Sequence, residues 1–167
     1  MSNTKLTALS AITTPTGDDL FYVVDDPAGT PASKKITFAN LQASTVAGLK
    51  TTITASVDGG GSAITTGKIK GFYTIPYAGT ISGYNITVDS GTVTIKTWKI
   101  ATGTAKPTSA NSISTSGVSL SSGSAVRSST VTDFTSTTVS AGDIFAFNIE
   151  AVATATELSF ELEITRT

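Results

Sequence analysis

The sequence holds neither histidine nor cysteine. The imidazole and thiolate that serve most nucleophile–base pairs and transition-metal sites are therefore missing. What remains is carboxylate, hydroxyl and amine chemistry. Glu161 and Glu163 stand two apart in an alternating segment, so both fall on one face of a strand. Two carboxyls about 5–9.5 Å apart across a cleft would form a glycosidase pair. Beside Glu157 the same two read as an exposed acidic stripe that keeps a sheet face wet, and that is the preferred reading. Serines abound, and Lys68, Lys70, Lys96 and Lys99 could supply a Ser–Lys arrangement, but none stands in a recognisable motif. Asp18-Asp19 and Asp25-Asp26 could gather a hard cation such as calcium, yet they lack calcium-loop spacing. Acids at strand ends also serve as solvated caps that discourage edge pairing. Asp58-Gly59-Gly60-Gly61-Ser62 lacks the Lys-Ser/Thr ending and the following helix of a phosphate loop, so it reads as a turn. No catalytic residue, cofactor or metal site is expected, and the chain is read as a non-enzyme.

Aromatic rings offer binding instead, because a flat ring face stacks on the apolar face of a sugar. Tyr73 shares strand parity with Ile69 and Ile75, and Tyr84 with Ile86 and Val88, which places both in a core. Tyr77 follows Pro76 near a turn and is expected at the surface. If the strand over 92–99 is regular, Val93, Ile95 and Thr97 face inward and Trp98 faces out. An exposed indole marks an interface; a β-bulge would turn it back inside. Tyr77 and Trp98 are thus the ligand or interface candidates.

The elements that must hold these residues are strands. At 167 residues the chain can bury one sizeable core with a smaller appendage. Charged residues are 14% and the net charge is −1, so nothing equips the chain to grip nucleic acid. Ser and Thr make up roughly a third of the residues, well above ordinary usage. Mean hydropathy is +0.17, which speaks against disorder, and Thr suits the wet face of half-buried strands. No run approaches the roughly 20 apolar residues of a membrane span, and residues 1–14 lack the apolar core of a secretory signal. The chain is expected to be soluble, without membrane insertion.

Two parts meet near residue 46. Residues 18–26 predict a strand bracketed by paired acids, 27–33 a turn-rich connection, and 34–38 a second strand. Residues 38–44 predict a short helix with Thr37 as N-cap. From about residue 50 the hydrophobic period is two: Ile53, Ala55, Val57; Val93, Ile95; Phe145, Phe147, Ile149; Leu158, Phe160, Leu162, Ile164. Further strands are predicted at 67–75, 81–88, 117–121 and 129–134. The expectation is an all-β fold: an antiparallel β-sandwich of jelly-roll type with about eight strands, preceded by a small hairpin and short helix. Its domains are 1–45 and 46–167.

Two stretches carry a resemblance. Residues 5–41 contain a Leu-x-x-Leu leader (Leu6, Leu9), then Asp19-Leu20 opening a strand that ends at Asp25. Ser33-Lys34-Lys35-Ile36-Thr37-x-x-Asn40-Leu41 follows. This is similar to an N-terminal element of tailed-phage structural proteins. Residues 66–100 with 139–166 contain Gly71, Ile75-Pro76-Tyr77-Ala78-Gly79-Thr80-Ile81-Ser82-Gly83, Trp98-Lys99 and Ser140-Ala141-Gly142-Asp143. Phe145, Phe147, Asn148 and a closing Ile-Thr-Arg complete the set. They resemble a β-sandwich domain of phage fibre-like virion proteins, although Trp98-Lys99-Ile100-Ala101 departs from the longer loop of that group. The resemblance implies a fibre- or spike-like virion surface protein, assembled in the host cytoplasm. It implies a homotrimer fastened through its first part to other virion proteins, with Leu20, Tyr22, Val24, Ile36, Phe38 and Leu41 as attachment candidates. The sandwich would then touch a host-surface glycan or protein. A capsid decoration protein and a free carbohydrate-binding module are the alternatives.

Overall fold

The computed structural model describes residues 14–25, 29, 32–103, 105–121 and 125–167; the side chains of 22–25 and 32–33 lie outside the described set. The chain divides into two compact units, Met1–Ala47 and Gly48–Thr167.

In the first unit β1 (Leu20–Asp25) pairs antiparallel with β2 (Ala32–Thr37), and α1 (Phe38–Val46) follows at once. Thr37 does two jobs. It closes β2 with extended backbone, and its Oγ1 accepts the Asn40 amide at 3.1 Å, replacing a partner that the first helical turn lacks. The Ala47 amide closes the other end on the Ala43 carbonyl.

The second unit holds β3 (Lys50–Asp58), β4 (Gly67–Lys68), β5 (Tyr73–Thr74), β6 (Gly79–Val88), β7 (Thr92–Ile100) and β8 (Val118–Ser121). It continues with β9 (Ala125–Ser128), β10 (Thr138–Val139), β11 (Ile144–Ala153) and β12 (Glu157–Arg166). Sheet I runs β9/β10–β6–β12–β3, with β9 and β10 sharing one lane beside β6. Sheet II runs β4/β5–β11–β7–β8, with β4 and β5 sharing one lane beside β11. All of these pairings are antiparallel. The chain visits the lanes in the order I, II, I, II, II, I, II, I, which is the two-sheet jelly roll expected from the sequence.

The alternating residues do fill the space between the sheets. Phe145, Phe147, Ile95, Ile86, Phe160, Leu162 and Ile164 are 0% exposed. Phe147 of sheet II meets Phe160 of sheet I edge-on, with centroids 5.1 Å apart, so this contact ties one layer to the other. Two bulges adjust the register. One sets Ser82 aside between the pairs Ile81–Ile164 and Gly83–Glu163, and the other sets Glu150 aside in β11.

Two predicted strands need correction. Residues 129–134 are not a strand; their lane is filled by β9 before them and β10 after them. The alternating threonines there mimic a strand, but Asp133 Oδ1 accepts the amides of Ser116 and Gly117 and Phe134 bonds back to Val131, so the backbone turns. Residues 67–75 form two short strands rather than one, broken where Gly71 adopts φ 108°, a conformation open to glycine.

Candidate functional site

The first unit carries the attachment candidates. Antiparallel register pairs Phe21 with Ile36, and Leu20 with Thr37. Cross-strand partners share a face, so Ile36 lies on the opposite face from Leu20, and the backbone positions of Tyr22 and Val24 fall with Leu20. The side chains of Tyr22 and Val24 lie outside the described set. Phe21, not singled out from the sequence, joins Phe38 at 6.1 Å between ring centroids. Leu20 is 56% exposed, Phe21 40% and Leu41 39%, and no residue of α1 is buried. Ile36 and Phe38 are half-buried. Asp19 accepts the Thr16 amide through Oδ2 at 2.6 Å and so closes a turn. Asp26 lies outside the described residues.

In the sandwich, β7 carries no extra residue, since the irregularity in its pairing falls in β11. Thr97 therefore points into the core at 0% exposure, and Trp98 lies on the outer face of sheet II, half-buried. The bulge that would have turned the indole inward is absent from β7. Tyr77 is also half-buried, packed on the core margin, with the Arg166 guanidinium 4.3 Å from its ring centroid. That cation takes one ring face, so Tyr77 cannot offer both faces to a sugar. Tyr77 leads into β6 of sheet I, and among the described residues no ring contact joins it to Trp98.

The motifs around Tyr77 and Trp98 do converge. The Gly142 amide bonds the Ile75 carbonyl, and the Ile75 amide bonds the Asp143 carbonyl. Asp143, 5% exposed, accepts the Ser140 amide, and Lys99 Nζ stands 3.3 Å from its Oδ2. These contacts stitch Ile75, Lys99 and 140–143 into one end of the sandwich.

The carboxylates correct an expectation. Glu163 is buried at 6% rather than part of an exposed stripe. Its Oε1 takes Arg127 Nη2 at 2.7 Å, and Lys50 Nζ lies 3.8 Å from Oε2. Gly83 makes the room: a Cβ there would meet the Ser128 carbonyl oxygen at 2.6 Å and Glu163 Oε2 at 3.2 Å. Glu161 accepts from Asn85 Nδ2 at 2.9 Å. Neither glutamate lines either of two open cavities of about 490 and 470 Å³. This geometry fastens β9 across β6 to β12; it does not set two carboxyls across a cleft.

No family model, curated protein or solved structure matches this chain. The site must be judged on its own geometry. Asp89 is the one described group driven far from its ordinary acidity. The Thr156 hydroxyl, then the Glu157 and Thr156 amides, bond its carboxylate and hold it well below the usual carboxylate range. It is exposed and locks the β6–β7 turn to the β11–β12 turn, which is structural work. Among the described residues no group of three or more acids could hold a metal ion. The first unit presents apolar surface at Leu20, Phe21 and Leu41, and the second encloses its own core between two sheets.

Proposed function

We propose that the chain is a non-enzymatic structural protein of a phage virion, fastened by its first unit and displaying the jelly roll for contact with the host surface. One observation supports this above the rest: the first unit leaves Leu20, Phe21 and Leu41 open and buries no residue of α1. A hairpin and one helix bury too little to stand alone in water, and large exposed side chains of this kind mark a contact surface. The second unit, by contrast, encloses a core of its own between two sheets.

In this reading the first unit binds neighbouring virion proteins and sister chains in a homotrimer. The sandwich binds weakly and gains strength from repetition, since linked weak sites raise avidity by about 10²–10⁴. Adsorption of the full chain to host cells and to a glycan array tests the display role. Saturable binding that rises with multivalent presentation is the expected result. Absent binding on every surface, with normal infection by phage lacking the chain, would overturn it. A copy number matching the shell lattice would make it a decoration protein instead.

A further inference from the structure

The sandwich has four edge lanes, and three are short or interrupted. β4 and β5 have two residues each, β8 has four, and β9 and β10 have four and two with a gap between them. β3 is different: nine residues paired to β12 without a register shift. Among the described residues no strand lies on its other side. Exposed edges are usually blunted by proline, a bulge or a central charge. β3 has none of these, and its charges, Lys50 and Asp58, stand at its two ends.

The ladder to β12 fixes which groups are free. The Gly59 amide bonds Thr156 and the Leu49 carbonyl receives Arg166, so the odd-numbered residues between them face β12. Lys50, Thr52, Thr54, Ser56 and Asp58 then direct their amides and carbonyls outward. We infer that this edge pairs with the same edge of a second copy of this chain, antiparallel and centred on Thr54, making one continuous sheet across a two-fold axis. Two features favour that partner and register.

The first is charge. Centring on Thr54 sets Lys50 of each copy opposite Asp58 of the other and Thr52 opposite Ser56. A shift of two residues moves Lys50 opposite Ser56 or Gly60 and loses the charge pairing between copies, leaving Lys50 with Glu163 of its own chain alone. A shift of one sets outward-facing residues against inward-bonded ones and forms no ladder. The second is apolar surface. Leu49 is 49% exposed, and the same register brings it level with Gly59 of the other copy. There an open groove of about 490 Å³, walled in part by Val57, Ile64 and Ile69, runs between the sheets. By strand parity Leu49 faces the inner side, where that groove opens.

The inference stands apart from the virion reading, because it uses nothing in the first unit. Single cysteines in the full, naturally cysteine-free chain test it. Directly paired residues of this kind have Cα atoms about 5.5 Å apart, within disulfide reach. Thr54→Cys should cross-link to a dimer on a denaturing gel under mild oxidation. Thr52→Cys and Ser56→Cys alone should not, since each sits about 14 Å from its own copy, but mixing the two should cross-link them. In a parallel test, Lys50→Asp or Asp58→Lys alone should weaken this dimer on the order of tenfold, and mixing the two variants should restore it. Circular dichroism of each variant confirms that the fold is kept. Absent or equal cross-linking of the three cysteines would overturn the inference, as would charge variants that leave the dimer unchanged.

Discussion

Glu163 is a buried carboxylate with two cations on it, and its worth to the fold depends on how wet those cations are. The Arg127 side chain is 66% exposed, so solvent screens the pair. Arg127→Ala should therefore cost about 1–2 kcal/mol in urea unfolding, and a cycle with Glu163→Gln should return a coupling of about 1 kcal/mol. A coupling of zero would mean the bond is not formed in solution. Asp89 makes a pH prediction. Its folded acidity is strengthened, so its contribution is full above the unfolded value of about 3.9 and is lost as pH falls towards the lower folded value. The stability gap between the natural chain and Asp89→Asn should be constant above about pH 5 and shrink below about pH 4. A gap that widens in acid would contradict the assignment. Little of this was legible in the sequence. Strand parity placed Glu161 and Glu163 on the outer face correctly, but the burial of Glu163 depends on Gly83 and Arg127, which lie far away along the chain.

Strands were the most legible level, because a period of two leaves no other way to bury Leu158, Phe160, Leu162 and Ile164 together. Phe160 is the keystone of that row: it meets Phe147 edge-on and stacks with Tyr84 at 6.5 Å between centroids. Phe160→Ala should cost about 3–5 kcal/mol, read from the denaturant midpoint at unchanged slope. A loss under about 1 kcal/mol would mean that the sheets are not joined there. Thr37 was legible too, since its cap stands directly before a run of helix formers. The lane shared by β9 and β10 was not. Its strands are four and two residues long, too short for a period to show. The intervening alternation of Val131 with threonines imitates a strand that Asp133 and Phe134 bend into a turn. The bulge at Ser82 likewise leaves no mark in composition, because it is set by how β6 meets β12.

At the scale of the whole molecule, composition without His or Cys pointed away from catalysis, and the change of pattern before residue 50 pointed to two parts. What composition could not show was which apolar residues of the first part stay open. Hairpin register decides that, and it separates Leu20 from Ile36 while bringing in Phe21. The central claim is that these open side chains fasten the chain to a particle. The proposed virion role is tested most directly by mass-spectrometric quantification of the chain in purified phage particles assembled in its presence, beside a variant carrying Leu20→Asp and Leu41→Asp. The natural chain should co-purify in a fixed copy number, and the variant should be lost from particles while its sandwich remains folded. Particles that lack the natural chain, or that retain the variant in full, would contradict the account.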